Sequence, residues 1–215
     1  MNIGVLGTGI VGRTIGTALV LAGHSVRMGS RSADNAQAAN WSRTVGDGAS
    51  QGTFADAAAF GSILFNCTAG TGSLEALRLA GAKNLEGKIL IDLSNPLDFS
   101  KGFPPTLTVC NTDSLGEQIQ RAFPGVKVVK ALNTMNCQVM VQPSRVPGTH
   151  HVFLAGNDPA AKIEVASLLT SAFGWPPESI VDLGDIAGSR GLEMVVPLWI
   201  RLFGVLGTAD INIHV

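Results

Sequence analysis

The chain has 215 residues, of which 46% are hydrophobic and 14% are charged, and its formal net charge at pH 7 is −1. A chain so close to neutral has no electrostatic basis for binding nucleic acid or an anionic membrane surface, and we expect neither as a partner. Its length suits one compact domain, or a core domain with a smaller lobe, and its apolar content suits a sizeable core or an apolar face covered in an oligomer.

The cysteines and the apolar segments narrow the class of protein further. Cys67, Cys110 and Cys137 show neither a CxxC pattern nor metal-ligand spacing, and their odd number argues against a disulfide framework. We therefore expect no metal site, and a reducing compartment, the cytoplasm. The chain has no apolar run of about twenty residues, and its first residues lack the basic start and cleavage site of a signal peptide, so we expect no membrane-spanning or secretory segment.

The first thirty residues carry the strongest motif. Residues 2–6 are short, apolar and rich in β-formers, which predicts a buried strand, and apolar residues at helical spacing from Ile15 to Ala22 predict a helix. Between them lies the loop Gly7-Thr8-Gly9-Ile10-Val11-Gly12. Its first glycine permits the tight turn, the second lets the backbone approach a pyrophosphate, and the third lets helix and strand pack closely. This context favours a dinucleotide site over a plain glycine-rich turn.

The second strand, near residues 24–28, indicates which dinucleotide binds. An NAD-binding fold places an acidic residue roughly twenty residues beyond the glycines, where it accepts a hydrogen bond from the ribose 2′-hydroxyl. Here the first acidic residue is Asp34, and the strand tip carries Ser30, Arg31 and Ser32 instead. Because a guanidinium and hydroxyls bind a 2′-phosphate through charge-assisted hydrogen bonds, we predict NADP(H). The alternative is a solvated turn with a surface arginine.

The rest of the chain alternates between helices and strands. Helices are predicted near residues 33–41, 53–60, 73–82, 114–123, 158–173 and 190–205, the last bent at Pro197. Further strands are predicted at residues 62–67, 88–93, 126–132, 151–156 and 179–183. Residues 99–111 show no periodicity and form either a substrate-side loop or a passive excursion. The final helix is apolar nearly all round, so it is buried either in its own lobe or against a second copy in a homodimer.

Taken together, these segments resemble the NADPH:deazaflavin (coenzyme F-420) oxidoreductase family over essentially the whole chain. The core also resembles the cytosolic reductase domain of STEAP metalloreductases. The matching segments are the early GxGxxG, Gly29-Ser30-Arg31, IDLSNP at 91–96, VVKALNT at 128–134, AGND at 155–158, and SRGLE at 189–193 followed by Pro197-Leu198.

The resemblance implies an α/β fold with a Rossmann-type, doubly wound, mostly parallel sheet. Residues 1–150 would form the NADP-binding domain. Residues 151–215 would form a small C-terminal α/β lobe that completes the acceptor site and offers the dimer contact.

The resemblance also implies roles for individual residues. By position, it assigns the pyrophosphate to Thr8, Gly9, Ile10 and Val11. It assigns the 2′-phosphate to Ser30 and Arg31, and the ribose and nicotinamide to Thr68, Ala69, Asn95, Pro96 and Cys137. Where the family can have a further basic residue beside the 2′-phosphate, this chain has Asn35 and Gln37.

The implied reaction is hydride transfer between NADP(H) and a deazaflavin, coenzyme F-420, or a flavin laid against the nicotinamide. Because such a transfer depends on the positioning of two rings, we predict no catalytic acid or base. One alternative is an NADPH-dependent reductase of a small carbonyl or imine, which needs a proton donor such as Lys130, His150 or His151. The simpler interpretation places Lys130 toward solvent and the histidines in a surface or hydrogen-bonded turn. Another alternative is a non-catalytic NADP(H)-binding redox partner.

Overall fold

The computed structural model describes all 215 residues. Its strands are β1 (Asn2–Leu6), β2 (Ser25–Ser30), β3 (Ala49–Thr53), β4 (Ile63–Asn66), β5 (Ile89–Asp92), β6 (Leu97–Asp98), β7 (Thr106–Leu107), β8 (Lys127–Ala131), β9 (Val152–Ala155) and β10 (Ile180–Asp182). Its α-helices are α1 (Ile10–Leu21), α2 (Ala36–Val45), α3 (Phe54–Phe60), α4 (Gly70–Ala80), α5 (Ala82–Leu85), α6 (Leu115–Ala122), α7 (Cys137–Val141), α8 (Pro159–Phe173), α9 (Ser189–Met194) and α10 (Val196–Leu206).

Eight of the strands form one sheet in the order β10-β9-β8-β5-β4-β1-β2-β3. Every neighbouring pair is parallel except β8 and β9, which are antiparallel. Helices cover both faces: α1 and α8 contribute to one apolar cluster, and α3, α4 and α6 contribute to the other. The predicted α/β fold with a doubly wound, mostly parallel sheet is therefore confirmed.

The central strands are apolar because both of their faces are covered. Ile3, Val5 and Leu6 of β1 are fully buried, and β4 is buried along its whole length. Near-continuous apolar runs of this kind are typical of parallel strands between two helical layers. The chain order reverses at β1, which pairs with β2 on one side and β4 on the other. In such a sheet the ligand crevice lies outside the carboxyl ends of the strands at this switch point.

Helix ends follow local sequence signals. Thr53 and Asp56 form a capping box at the start of α3, and the Ser114 hydroxyl accepts from the Glu117 backbone N–H at the start of α6. The Asp158 carboxylate accepts from the Ala161 N–H and precedes a proline in the first turn of α8. Capping side chains satisfy helix N–H groups that have no intrahelical acceptor.

Three local features differ from the sequence analysis. Strand β3 was not anticipated, because its Ser50-Gln51-Gly52 centre has no apolar alternation. Within the stretch predicted to be irregular, β7 forms a strand that pairs antiparallel with β6, which lies just before that stretch. The single bent helix predicted near residues 190–205 is instead two helices, α9 and α10, with Val195 between them and Pro197 in the first turn of α10. A proline lacks the N–H that would continue the hydrogen-bond ladder of α9.

The sheet does not stop at the predicted domain boundary at residue 150. Strand β9 pairs with β8 and strand β10 pairs with β9, so the segment predicted as a small lobe extends the same sheet. Helix α8, from the same segment, buries Val165 and Leu169 in the apolar cluster that also contains Ile15. Of the strands and α-helices in this segment, only α9 and α10 lie outside both the sheet and the two large apolar clusters. None of the helices combines the length and the hydropathy that a bilayer-spanning segment needs.

Candidate functional site

The loop after β1 is built by two close backbone approaches. Gly7 has φ +119°, and a Cβ atom there would lie 2.6 Å from the carbonyl oxygen of Cys67. A Cβ atom at Gly12 would lie 2.1 Å from the carbonyl oxygen of Gly7. Neither position tolerates a side chain, so the tight turn and the close helix contact that the motif predicts are both present.

The start of α1 faces open space. A Cβ atom on Gly9 would have no heavy atom within 4 Å, and Gly9, the residue that precedes the helix, provides no side-chain cap. No capping side chain therefore accepts a hydrogen bond from the first N–H groups of α1, and these groups carry the partial positive charge of a helix N-terminus. An open glycine beside free N–H groups is the cradle that a pyrophosphate requires. The residues present thus fit a dinucleotide.

A cleft of about 440 Å³ opens beside this loop at the carboxyl ends of β1, β2 and β4. It brings together six of the residues predicted from the sequence: Thr8, Gly9, Ser30, Arg31, Thr68 and Ala69. Its other lining residues include Ser32, Asn35, Phe54 and Cys67.

The tip of β2 offers one free cation to the cleft. Arg31 is exposed, lines the cleft, and makes no side-chain hydrogen bond or ion pair within the chain. The Ser30 hydroxyl donates to the carbonyl oxygen of Ser32, so its proton is already engaged. Asp34, whose pKa is lowered by the hydrogen bond from the Ser32 hydroxyl, does not line the cleft. The charge that faces the cleft from this strand is therefore positive.

All of the predicted ribose and nicotinamide residues except Cys137 lie beside the first turn of α4. A Cβ atom at Gly70 would lie 2.0 Å from the carbonyl oxygen of Asn95 and 3.0 Å from Cα of Pro96, so these residues pack directly on the helix start. The Asn95 amide donates to the carbonyl oxygen of Asn133 at 2.9 Å, and the Asn133 amide donates to the Asn95 side-chain oxygen at 2.8 Å. This pair joins the ends of β5 and β8.

Five predicted site residues do not line the cleft itself. Ile10 and Val11 lie in the first turn of α1, and Asn95 and Pro96 pack against α4 as described. Cys137 begins α7, where its sulfur accepts a hydrogen bond from the Thr14 hydroxyl at 3.7 Å.

The candidate proton donors are not available to a substrate. Lys130 is fully buried, and its ammonium group lies 2.9 Å from Asp92 and 2.8 Å from Glu193, so the expectation that it points to solvent is wrong. Burial lowers the pKa of Lys130, but the two carboxylates raise it by more, and the net shift is upward. His150 and His151 are buried and hydrogen-bonded: the His150 ring contacts the Pro143 carbonyl and the Asn212 amide, and the His151 ring accepts from the Val215 N–H.

The cysteine beside the cleft is a neutral thiol. Burial raises the pKa of Cys67, and the nearby Asp92 and Cys137 raise it further. A thiol held in the protonated form at neutral pH is a poor nucleophile.

Comparison with known proteins shows the family of this chain. The model of the family described as NADP oxidoreductase, coenzyme F-420-dependent, matches residues 2–96. The solved structure of a candidate F-420-dependent NADP-reductase from Arthrobacter sp. FB24 is 52% identical, covers 100% of this chain and 99% of its own, and superposes with a TM-score of 0.94. The chain belongs to the coenzyme F-420-dependent NADP oxidoreductase family. Like its family, it is an NADP-dependent oxidoreductase with a Rossmann-type nucleotide-binding fold.

Two more distant proteins are similar to this chain in sequence or in fold. Metalloreductase STEAP3 of Rattus norvegicus is 29% identical over 204 residues, which are 92% of this chain. The chain spans only 38% of the length of that protein. An imine reductase from Myxococcus stipitatus, at 18% identity and a TM-score of 0.63, shares the fold, and this chain covers 63% of it.

Sequence reasoning missed two parts of the site. Phe54 and Glu75 line the cleft and were not predicted, whereas Ser32 and Asn35, which also line it, are named beside the 2′-phosphate in the sequence analysis. The burial of Lys130 between two carboxylates was also missed, because no local pattern indicates it.

Proposed function

We propose that this protein transfers a hydride directly between NADP(H) and a deazaflavin, coenzyme F-420, or a flavin-type coenzyme. The proposal is carried by the cleft, which joins the open glycine loop to the unpaired Arg31 at the carboxyl edge of the sheet. The likeness to the Arthrobacter protein over the whole chain supports a deazaflavin as the first acceptor to test. When bound, NADPH supplies the hydride; the protein supplies the position of the two rings.

In this proposal the chain holds the dinucleotide in three sections. The pyrophosphate contacts the loop and first helical turn at Thr8, Gly9, Ile10 and Val11, and the 2′-phosphate contacts Ser30 and Arg31. The ribose and nicotinamide lie against Thr68, Ala69, Asn95, Pro96 and Cys137. The N-terminus of α1 then faces the pyrophosphate, and the Arg31 guanidinium faces the 2′-phosphate.

The electrostatics of the site favour ring-to-ring hydride transfer over carbonyl or imine reduction. Reduction of a carbonyl needs a proton donor near the nicotinamide. The residues that line the cleft include neither histidine nor lysine, and their one carboxylate, Glu75, is exposed and pairs with Arg78. Lys130 is buried between Asp92 and Glu193 with a raised pKa. Hydride transfer between two rings needs close stacking and correct faces, which a rigid cleft supplies without an acid or base.

The test is anaerobic mixing of the purified protein and NADPH with coenzyme F-420, FMN and FAD in turn, following the visible band of each acceptor. Rapid bleaching of the deazaflavin supports the proposal, and bleaching of a flavin alone indicates that the hydride acceptor is a flavin. If NADPH binds and no acceptor is bleached, the ring-transfer proposal fails. The carbonyl or imine reductase and the non-catalytic redox partner are then tested next.

We also propose that α10 mediates a homodimer. This helix leaves Leu198, Leu202, Phe203 and Leu206 between 41% and 58% exposed, which makes one apolar strip. Apolar patches of this kind on a folded protein typically mark interaction surfaces. Light scattering should give the mass of a dimer for the unmodified chain and of a monomer for Leu202→Glu, and a monomeric parent would refute this proposal.

We assign the protein to a reducing compartment, the cytoplasm, because all three cysteines are free thiols and Cys110 is exposed. Exposed thiols persist where glutathione and thioredoxin keep them reduced.

A further inference from the structure

A continuous row of buried polar groups runs from α9 to the cleft. Glu193 of α9 contacts Lys130 of β8, Lys130 contacts Asp92 of β5, Asp92 contacts Asn66 of β4, and Asn66 contacts Thr68 in the loop that lines the cleft. The first four residues of this row are at most 1% exposed. We call these five residues the Glu193–Thr68 network.

Lys130 has no freedom within the network. Its ammonium group has three protons, and the structure supplies three acceptors: Asp92 Oδ2 at 2.9 Å, Glu193 Oε1 at 2.8 Å, and the backbone carbonyl of Ser94. Every donor is used, so the Lys130 side chain has a single satisfied arrangement. A change in either carboxylate must therefore displace it or leave a buried donor unpaired.

The orientation of the Asn66 amide is fixed mainly by Asp92 and Thr68, and the hydroxyls of Ser73 and Ser94 lie 3.2 and 3.4 Å from its nitrogen. Its nitrogen donates to Asp92 Oδ1 at 2.8 Å, and its oxygen accepts from the Thr68 hydroxyl at 2.7 Å and the Thr68 backbone N–H at 3.3 Å. An ionised carboxylate only accepts and a backbone N–H only donates, so a flipped amide would face the wrong partner on both sides. Asp92 thus acts on Thr68 through Asn66, and the Thr68 hydroxyl has one further partner, the Ser73 hydroxyl at 2.8 Å.

The far end of the network is anchored to a helix N-terminus. The Glu193 carboxylate accepts from the backbone N–H groups of Leu115 and Gly116 at 2.8 and 3.0 Å, where α6 begins. These N–H groups, together with Lys130, balance a carboxylate that is 1% exposed. Glu193 is therefore held from two sides, by α6 and by Lys130.

We propose that Lys130 and Glu193 are positioning residues: through Asp92 and Asn66 they hold Thr68 in the place where the cofactor's ribose and nicotinamide bind. This inference rests on the proposed function only in taking the cleft as the dinucleotide site. Neither residue touches the cleft. A buried ion network is a poor source of net stability but a strong geometric constraint, because each buried charge must keep its partners.

The chain contains a matched control for this proposal. Arg190 of α9 donates to the carboxylate of Glu117 in α6 at 2.9 and 2.6 Å, so this ion pair also joins α6 to α9. No hydrogen bond or ion pair connects Arg190 or the Glu117 carboxylate to the Glu193–Thr68 network. Glu117→Gln therefore loosens the same two helices without acting on Thr68.

The first test is hydrogen–deuterium exchange by mass spectrometry on the free protein. Glu193→Gln should speed exchange of the Thr68 amide, in a peptide covering residues 66–72, by about tenfold, and exchange in β2 should stay within about twofold of the parent. Glu117→Gln should leave the 66–72 peptide unchanged. Equal acceleration in β2 and at Thr68, or no change at Thr68, would overturn the proposal. If Glu193→Gln does not fold, Glu193→Asp keeps the charge, shortens the side chain and provides the same comparison.

The second test is a double-mutant cycle on NADPH affinity, measured by fluorescence titration. Glu193→Gln should weaken binding about threefold in the parent and less than about twofold in a Thr68→Val background, because the network acts through the Thr68 hydroxyl. Independent, multiplicative effects would overturn the proposal. If the parent itself does not bind NADPH, the proposed function fails, while the exchange test still decides whether Glu193 controls Thr68.

Discussion

Gly7 and Gly12 lie so close together that a Cβ atom on Gly12 would sit 2.1 Å from the Gly7 carbonyl oxygen. This contact joins the end of β1 to the first turn of α1 and thereby sets where the free N–H groups of the helix point. Gly9 lies between them in sequence and faces open space instead. The three glycines of one motif therefore have separable roles, two in packing and one in leaving room for a ligand.

Gly12→Ala should destabilise the folded protein. The added methyl group would overlap a backbone carbonyl oxygen, so its cost falls in the upper part of the about 1–3 kcal/mol that overpacking typically costs. That exceeds the roughly 1 kcal/mol that alanine gains over glycine in a helix. Urea unfolding should show a lower midpoint with an unchanged slope. A midpoint equal to that of the parent would show that the loop relaxes without cost and would contradict the packing role.

Gly9→Ala should have the opposite profile. Gly9 has φ −68° and ψ −177°, which alanine adopts readily, and its Cβ position is open, so the unfolding midpoint should match that of the parent. NADPH affinity should fall by about tenfold or more, because the methyl group occupies the space through which the backbone approaches the pyrophosphate. Parent-like NADPH affinity in a titration would argue against a pyrophosphate at this loop.

Arg31→Ala should change the choice between the two nicotinamide dinucleotides. The loss of a charge-assisted hydrogen bond to the 2′-phosphate, worth about 1.5–3 kcal/mol, should raise the NADPH KM by roughly 10- to 100-fold. The NADH KM should change little, because NADH lacks the 2′-phosphate. Arg43→Ala, which removes an exposed arginine of α2 whose partner is Asn40, is the matched control. Equal losses for NADPH and NADH would mean that Arg31 does not contact the 2′-phosphate.

Asp113 should contribute to stability at neutral pH and lose that contribution in acid. The bidentate hydrogen bonds from Arg121, at 2.9 and 2.8 Å, lower the pKa of Asp113 to about 2. A carboxyl whose folded pKa is depressed stabilises the protein above its unfolded pKa of about 3.9, and the contribution is lost as pH falls through its folded pKa. Asp113→Asn should therefore be less stable than the parent at pH 7, with the gap closing between about pH 4 and pH 2.

The control for this pH dependence is Asp47→Asn, because Asp47 is exposed and makes no side-chain hydrogen bond or ion pair in the structure. Chemical unfolding at a series of pH values should show the same free energy of unfolding for this variant as for the parent. A constant gap for Asp113→Asn down to pH 2 would mean that the Arg121 contact does not depend on the charge of Asp113.

The sequence predicted the glycine loop and the exposed arginine at the tip of β2 because their signals are local. The glycine loop, the strand before it, the helix after it and Arg31 lie within the first 31 residues, and each acts through backbone or charge chemistry that a short pattern reveals. The burial of Lys130 was not predictable in this way. Its partner Asp92 is 38 residues away along the chain, and only the pairing of β5 with β8 brings them together.

Two fold features were missed for related reasons. Strand β3 is an edge strand whose sequence has no apolar alternation, so only its pairing with β2 defines it. The sheet also continues past residue 150, where β9 pairs antiparallel with β8. This pairing depends on a reversal of chain direction, which the propensities of the residues do not indicate. Hydrogen bonding between strands that are distant in sequence therefore defines these two features. The helices and the glycine loop are defined by patterns within short stretches of sequence.

The most direct test of the central claim follows the transferred atom itself. NADPH that carries deuterium at both hydrogen positions of nicotinamide carbon 4 is mixed anaerobically with the protein and oxidised coenzyme F-420. The mass of the reduced deazaflavin is then measured by mass spectrometry. Direct ring-to-ring transfer predicts one deuterium in the product, and unlabelled NADPH in deuterated water predicts none at carbon. A reduced deazaflavin that takes its carbon-bound hydrogen from the solvent, or no reduction at all, would contradict the account.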